Sequence, residues 1–167
     1  MDMRLNIAAQ SADGLAYMHS KTNNKILHGD VKPANILLDD NFMPKISDFG
    51  ISRLIARDKQ DINKKTGLLT EKSDVYSFGV VILELISRKK ATYSDNNSLV
   101  RNFFEAHREE KRLTELFDKE IALNSNLMLL HSMARIAAEC LNLNADERPS
   151  MIEVAENLIL LNRSRNS

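Results

Sequence analysis

The segment at residues 70–87, TEKSDVYSFGVVILELIS, limits the possible folds of this chain more than any other segment. Thr70 or Ser73 can cap a helix there, because their side-chain oxygens accept hydrogen bonds from the free N–H groups of a first turn. Large apolar side chains then follow in every direction around the helix: Val75, Phe78, Val80, Val81, Ile82, Leu83, Leu85 and Ile86. A helix that is apolar almost all round is typically buried on every side. We therefore predict a central buried helix that the rest of the domain surrounds.

Further helices supply the surrounding layer. Apolar residues recur at helical spacing in three more segments, which are residues 3–20, 98–104 and 133–141. A capping box formed by Ser150 and Glu153 starts the last helix. Because 167 residues is the length of one ordinary domain, we assign residues 1–167 to a single, mainly helical unit.

The composition argues against several classes of function. The chain carries 23 basic and 23 acidic side chains, so no net field attracts nucleic acid or an anionic membrane. Cys140 is the one cysteine, which suits a reducing compartment, and we expect it to be a small core residue rather than a nucleophile. The longest apolar segment, residues 75–86, is too short to span a bilayer, and the N-terminus does not resemble a signal peptide. We expect a cytoplasmic chain without a membrane segment, and a solvated face at the mixed-charge residues 107–120.

Polar residues flank two short apolar runs near the N-terminal end. The runs, residues 36–38 and 45–47, are bridged by an Asp-Asp-Asn turn signal and predict a β-hairpin. Asn35 directly precedes the first run and Asp48 directly follows the second, and antiparallel pairing brings those two ends together. The hairpin therefore places a carboxamide oxygen beside a carboxylate. Such a pair, completed by water and phosphate, suits Mg²⁺ rather than zinc.

Asp30 and Lys32 lie on the loop that leads into this hairpin, residues 28–35. An acid beside a metal-bound phosphate can accept a proton from a hydroxyl, and a neighbouring lysine can neutralise charge on the transferred group. For D-x-K-x-x-N alone, a chance polar loop is a serious alternative. The D-F-G sequence that starts thirteen residues after Asn35 makes chance a poor explanation, because the combined signature is long and ordered.

Four motifs carry a resemblance to a known family: HGDVKPANILL, KISDFG, DVYSFGVVILELI and ERPSM. In this order they resemble the C-terminal lobe of the eukaryotic protein kinases, over nearly the whole chain. The stretch TEKSDVYSFGVVILELI is similar to plant receptor-like kinases of the wall-associated kind, and Lys32 two residues after Asp30 resembles Ser/Thr rather than Tyr kinases. The resemblance implies a mainly α part of an α+β family fold, with a helical C-lobe around the central helix, a small β-hairpin, and the N-lobe absent from these residues.

The resemblance also implies a role for each candidate site residue. Asp30 is the expected catalytic base, and Lys32 is expected to contact the transferred phosphate. Asn35 and Asp48 would hold Mg²⁺, and Leu37 would form part of the floor of the adenine pocket. The implied cofactors are ATP and Mg²⁺, and the ATP-binding set is Lys32, Asn35, Leu37 and Asp48.

Three neighbouring positions have implied structural roles. Asp74 would brace the 28–35 loop from the central helix, and His28 would stack with Phe49 inside the domain. Gly29 stands where most family members have an arginine that pairs with a phosphate on the activation loop. Control by phosphorylation of that loop is therefore not expected.

Two parts of the family pattern are missing from the sequence. It contains no Gly-rich loop, no V-A-I-K lysine and no helix with the partner glutamate, so the phosphates would lack their lid and principal cation. Around residues 58–70 the activation segment is shortened, and the G-T/S-x-x-Y…P-E part that forms the peptide-docking ledge is not found. The glutamate of that part would pair with Arg148. We therefore expect Arg148 to be exposed or, if buried, to be an orphan charge.

Three interpretations of function stay open. The first is a Ser/Thr protein kinase domain fragment, whose family reaction transfers the ATP γ-phosphate to Ser/Thr hydroxyls of proteins in receptor-like signalling. The others are an inactive truncated kinase that acts as an interaction module, and a product without independent function. Catalysis by these residues alone is not expected, because several positioning groups are missing. The implied partner is a protein substrate or signalling protein, not nucleic acid, and full-length relatives would be plasma-membrane receptors with a cytosolic kinase domain.

Overall fold

The computed structural model describes residues 1–20, 25–48, 53–55, 69–91 and 98–165. In these ranges the chain forms six α-helices: α1 (Asp2–Ser20), α2 (Glu71–Ser87), α3 (Leu99–His107), α4 (Glu110–Leu116), α5 (Leu127–Cys140) and α6 (Met151–Ser164). It also forms four short strands: β1 (Lys25–Leu27), β2 (Ile36–Leu38), β3 (Pro44–Ile46) and β4 (Arg53–Ile55). The predicted fold class, a mainly helical domain around one central helix with a small hairpin, is confirmed.

The central helix is α2. It begins with a capping box in which Thr70 and Ser73 each accept a hydrogen bond from the other's backbone N–H. Most of its apolar residues are fully buried in the one core cluster that the helices share. The prediction of burial on every side is nevertheless wrong along one stripe, since Tyr76, Val80 and Glu84 are only half-buried. These positions are four residues apart and therefore open on a single side of the helix.

Helix α5 packs directly against α2, and a glycine makes the close approach possible. A Cβ atom added to Gly79 would lie 2.8 Å from Cβ of Cys140 and 2.9 Å from Cγ of Leu141, closer than packed carbons approach. Cys140 is fully buried, as predicted for a core residue. Its burial raises the pKa of the thiol to about 12, so the side chain carries no nucleophilic thiolate at neutral pH.

Helix α1 is fixed to the rest of the domain at both of its ends. Along its length it packs on α6, and near its C-terminal part it contacts β1 and β3. At its start, Arg4 donates to the carbonyl of Leu85 at 2.7 Å and to the carboxylate of Asp118 at 2.5 Å. Asp118, its neighbour Phe117 and Leu113 are buried, so the expectation of a solvated face over residues 107–120 is wrong at these three positions.

Two antiparallel pairs of strands flank the 28–35 loop. The predicted hairpin is confirmed, with Ile36 opposite Ile46 and Leu38 opposite Pro44. Its second strand begins at Pro44, one residue before the predicted start. The other pair, β1 with β4, was not predicted from the sequence. Most of the shortened activation segment, and Phe49, lie outside the described residues.

Candidate active site

Asp74 supports the 28–35 loop from below. Its carboxylate is 1% exposed and lies in the first turn of α2. One oxygen accepts the backbone N–H of His28 at 2.8 Å, and the other accepts the N–H of Gly29 at 2.9 Å. Because a buried N–H group without an acceptor is costly, these two bonds fix the start of the loop relative to the central helix. The predicted bracing role of Asp74 is confirmed.

A residue to which the sequence analysis gave no role completes this support. Nε2 of His19, near the end of α1, lies 2.9 Å from Asp74, and both side chains are buried. The contact ties α1 to α2 and orients the carboxylate that holds the loop. The available signal was a histidine at a core-facing position of a predicted helix, which alone does not distinguish a hydrogen-bonded core histidine from a functional one.

His28 links the loop to the hairpin. Its Nδ1 accepts the N–H of Asp30 at 3.2 Å, and its Nε2 lies 2.8 Å from the carbonyl of Ser47. A backbone N–H can only donate and a carbonyl can only accept, so His28 holds its proton on Nε2. The ring is fully buried, and it fixes the distance between the loop and the end of β3.

Gly29 adopts a backbone conformation that favours glycine. Its φ angle is 82°, in the left-handed region where a Cβ atom is strained. This conformation turns the Gly29 N–H toward Asp74 while the chain continues to Asp30. The residue that departs from the family pattern therefore suits the local geometry of the loop.

Asp30, Lys32 and Asn35 form one cluster at the rim of the domain. The Lys32 ammonium lies 2.6 Å from the Asp30 carboxylate, and the Asn35 amide donates to the carbonyl and the carboxylate of Asp30 at 2.8 and 3.0 Å. The hydrogen bond from Lys32, stronger than the opposing effect of burial and aided by Asn35, lowers the pKa of Asp30 below its ordinary value. Asp30 is therefore an ionised hydrogen-bond acceptor at neutral pH, as a base must be.

Asn35 directly precedes β2 and Asp48 lies two residues after β3, so both flank the same edge of the hairpin. The N–H of Ser47 donates to the carbonyl of Asn35 at 2.9 Å, and Asp48 is the next residue. Because both amide hydrogens of Asn35 serve Asp30, its amide oxygen is the atom available to a cation. Asp48 is exposed and has a φ angle of 62°, a strained conformation of the kind found at functional sites. Their role as metal ligands stays a prediction.

The described residues do not contain a cluster of three or more His, Cys, Asp or Glu side chains that could hold a metal ion. A site built from one carboxylate and one amide oxygen fits Mg²⁺, which keeps several waters and takes further oxygens from a phosphate. Leu37, predicted as part of the adenine floor, lies on β2 beside this edge. Its side chain is 54% exposed, so it presents an open apolar surface.

Arg148 is neither freely exposed nor an orphan charge, which corrects the expectation for it. It is half-buried and donates to the carbonyls of Asn142 at 2.7 Å and Lys72 at 2.9 Å. Its guanidinium also lies 4.8 Å from the centre of the Tyr76 ring, a cation–π distance. Lys72 returns a hydrogen bond to the carbonyl of Arg148. Backbone oxygens and an aromatic face therefore satisfy a charge for which the sequence offered no carboxylate.

Comparisons of the sequence with known proteins identify the family to which the chain belongs. A family model described as "Protein tyrosine and serine/threonine kinase" matches residues 1–158. The chain therefore belongs to the protein kinase family, and the predicted resemblance to the C-terminal lobe of plant receptor-like Ser/Thr kinases is confirmed.

Within the family, the chain is similar to wall-associated receptor kinases. It is 44% identical to "Wall-associated receptor kinase 3" of Arabidopsis thaliana, over 93% of this chain and 23% of that protein. It is 41% identical to "Putative wall-associated receptor kinase-like 16" of the same organism, over 93% of this chain and 40% of that protein. It is 37% identical to "LRR receptor-like serine/threonine-protein kinase SIK1" of Oryza sativa subsp. japonica, over 96% of this chain and 18% of that protein. The chain thus spans less than half the length of each of these relatives. None of the helices in the described ranges is long and apolar enough to cross a membrane.

Proposed function

We propose that the rim formed by Asp30, Lys32, Asn35 and Asp48 is the phosphoryl-transfer end of a Mg·ATP-dependent Ser/Thr kinase site. The observation that carries the proposal is the connected support of the loop: Asp74 holds its start, and Asn35 bonds to Asp30 at its end. A phosphoryl-transfer site works mainly by positioning, so a loop fixed at both ends is the feature that the chemistry needs.

Each side chain has a task in this proposal. Asp30, held ionised by Lys32, accepts the proton of a serine or threonine hydroxyl. Lys32 then turns from Asp30 to the phosphate in transit, since an ammonium on a flexible stem that is half exposed can change partner. Asn35 and Asp48 would supply two oxygens to Mg²⁺, which neutralises charge on the phosphates. We also infer that the acceptor is a protein and that the site lies on the cytoplasmic side of the plasma membrane.

These 167 residues by themselves should hold the nucleotide weakly. Leu37 offers an open floor, and the described residues provide no facing surface that would remove the adenine from water. We expect an affinity for Mg·ATP weaker than micromolar. Titration calorimetry on the purified chain measures it, and low-micromolar affinity would show that a facing lobe is dispensable.

Manganese can locate the metal on the protein without any turnover. Mn²⁺ replaces Mg²⁺ and broadens the NMR signals of nearby amides. With millimolar ATP and substoichiometric Mn²⁺, the amide signals of residues 30–37 should broaden. Asp48→Asn should weaken Mn²⁺ binding at least about tenfold, because it removes the one charged ligand.

Asp40→Asn is the matched control, since Asp40 is an exposed carboxylate in the turn of the same hairpin. This variant should broaden like the original protein. Broadening that survives Asp48→Asn, or that centres on the hairpin turn, would refute the assignment of Asp48 as a ligand.

A further inference from the structure

Ser47 connects the two predicted metal ligands. It lies between Ile46, the last residue of β3, and Asp48. Its backbone N–H donates to the carbonyl of Asn35 at 2.9 Å, and its hydroxyl donates to the same carbonyl oxygen at 3.2 Å. From the sequence, Ser47 was only the end of a short strand, and nothing there indicated a further role.

Two donors on one acceptor fix more than a single hydrogen bond does. One N–H···O bond sets a distance, but a carbonyl oxygen accepts donors over a broad range of directions. Here the second bond comes from the side chain of the same residue, so Ser47 cannot pivot about the first bond without breaking the second. The hydroxyl therefore fixes the direction in which the chain continues toward Asp48.

The carbonyl of Ser47 is engaged as well. It lies 2.8 Å from Nε2 of His28, a fully buried ring whose other nitrogen accepts the N–H of Asp30. Ser47 is thus held by Asn35 on the hairpin side and by His28 on the loop side. Asp48 follows with its strained φ angle of 62°, and a strained residue persists only where its surroundings determine its conformation. The hydrogen bonds of Ser47 supply that determination on the N-terminal side of Asp48.

Asn35 is fixed from a second direction. Its side-chain amide donates to the carbonyl and the carboxylate of Asp30 at 2.8 and 3.0 Å, so the side chain cannot turn freely. With that end of Asn35 held by Asp30, the contact between its backbone carbonyl and Ser47 sets the position of Asp48 relative to Asn35.

We propose that Ser47 is a positioning residue whose hydroxyl sets the spacing of the Asn35 and Asp48 ligands and thereby makes the site selective for Mg²⁺ over Ca²⁺. Mg²⁺ requires near-octahedral geometry with oxygens at about 2.0–2.1 Å, whereas Ca²⁺ accepts flexible geometry at about 2.3–2.6 Å. A looser spacing therefore weakens the binding of Mg²⁺ more than that of Ca²⁺. The inference rests on the proposed function, because it concerns the same two ligands.

The test is NMR titration of the isotope-labelled 167-residue chain with Mg·ATP and, separately, with Ca·ATP. The amide chemical shifts of residues 30–37 report binding of each complex. The original protein should bind Mg·ATP more tightly than Ca·ATP. Ser47→Ala should weaken Mg·ATP at least about threefold, as expected for one lost hydrogen bond, and Ca·ATP by less than about twofold.

Three further variants separate the hydroxyl from other effects. Ser47→Thr keeps the hydroxyl and should keep the selectivity. Ser47→Cys keeps the size of the side chain but donates weakly, so it should behave like Ser47→Ala and decides the outcome if the alanine variant does not fold. Ser164→Ala removes a hydroxyl that donates to the carbonyl of Leu161 on α6, and it should leave both affinities unchanged.

Urea unfolding of each variant distinguishes positioning from simple structural support. A purely structural role for Ser47 would lower stability and weaken both complexes alike, and this result would overturn the inference. Unchanged affinities in Ser47→Ala, or lost selectivity in Ser47→Thr, would also overturn it while leaving the proposed function intact. If Mn²⁺ with ATP does not broaden the amide signals of residues 30–37 in the original protein, the proposed function itself is wrong, and the inference is wrong with it.

Discussion

Replacement of Asp74 by alanine tests the support of the 28–35 loop most directly. The change removes the acceptor of two buried backbone donors, on His28 and Gly29, and the partner of His19. Each buried donor left without a partner costs roughly 1–3 kcal/mol, and water that enters the vacated space recovers part of this. We expect Asp74→Ala to lower the free energy of unfolding by about 3–5 kcal/mol.

Asparagine at position 74 provides an intermediate case. Each of the two carboxylate oxygens accepts at least one hydrogen bond, so whichever oxygen becomes an NH₂ group then faces a donor. We expect Asp74→Asn to cost about 2 kcal/mol, less than alanine because one acceptor survives. Glu71→Gln is the matched control, since this half-exposed acid in the same helical turn pairs with Lys25 at the surface, where such a pair contributes no more than about 1 kcal/mol.

Urea unfolding followed by circular dichroism gives the three free energies by linear extrapolation. Hydrogen exchange then reports the loop itself, since the amides of His28 and Gly29 should exchange faster in both Asp74 variants. If Asp74→Ala unfolds within 1 kcal/mol of the original protein, and these amides stay protected, then the loop is held by other contacts and the reasoning above is wrong.

Three further predictions concern acid stability, a glycine and catalysis. Burial alone would raise the pKa of Asp118, but hydrogen bonds from the Glu120 N–H and from Arg4 outweigh it and hold that pKa below its ordinary value. The stabilisation that ionised Asp118 contributes is therefore complete above about pH 4 and is lost as the pH falls further. Asp118→Asn should destabilise the protein at pH 7 and progressively less in acid, which urea unfolding at pH 7 and pH 3 will measure. Gly29→Ala should lower the free energy of unfolding by about 1 kcal/mol, because the φ angle of Gly29 is 82°. Gly14→Ala in α1 should instead raise it by about 0.5–1 kcal/mol, because the added Cβ would meet Ile46 at an ordinary distance of 3.5 Å. Equal melting temperatures of the two variants would contradict both expectations. When the 167-residue chain is incubated with radiolabelled ATP and a generic protein substrate, it should transfer no more phosphate than its Asp30→Asn variant. The reason is that the groups that enclose the phosphates are not in the sequence. Incorporation well above that of the variant would show that the chain is a minimal kinase.

The sequence predicted the parts of the fold that have local signals. The helix of residues 70–87 was recognisable from its caps and its apolar run, and the hairpin from a turn signal between two short runs. The pairing of β1 with β4 has no such signal, since two three-residue strands far apart in sequence show no periodicity of their own. Their pairing depends on how the chain between them folds, which local patterns do not specify.

The site shows the same division between local and tertiary information. The order of Asp30, Lys32 and Asn35 in one loop was enough to predict that they act together, and they lie within hydrogen-bond distance. The partners of Arg148 were not predictable, because they are backbone carbonyls and every residue has one. The absence of a carboxylate partner in the sequence therefore did not mean an unsatisfied charge in the structure.

Cys140, the single cysteine, lies in the tight contact between α2 and α5. Its reaction with a thiol reagent can therefore measure how often these two helices separate. The Cβ atom of Cys140 lies against Gly79, and the side chain is fully buried. Burial also raises the pKa of the thiol to about 12, so the buried side chain offers almost no reactive anion at neutral pH. Labelling of the native protein must therefore wait until these two helices separate, which exposes the thiol and restores its ordinary acidity. The rate of that labelling therefore reports how often α2 and α5 separate, a local opening that probes of the protein surface do not detect.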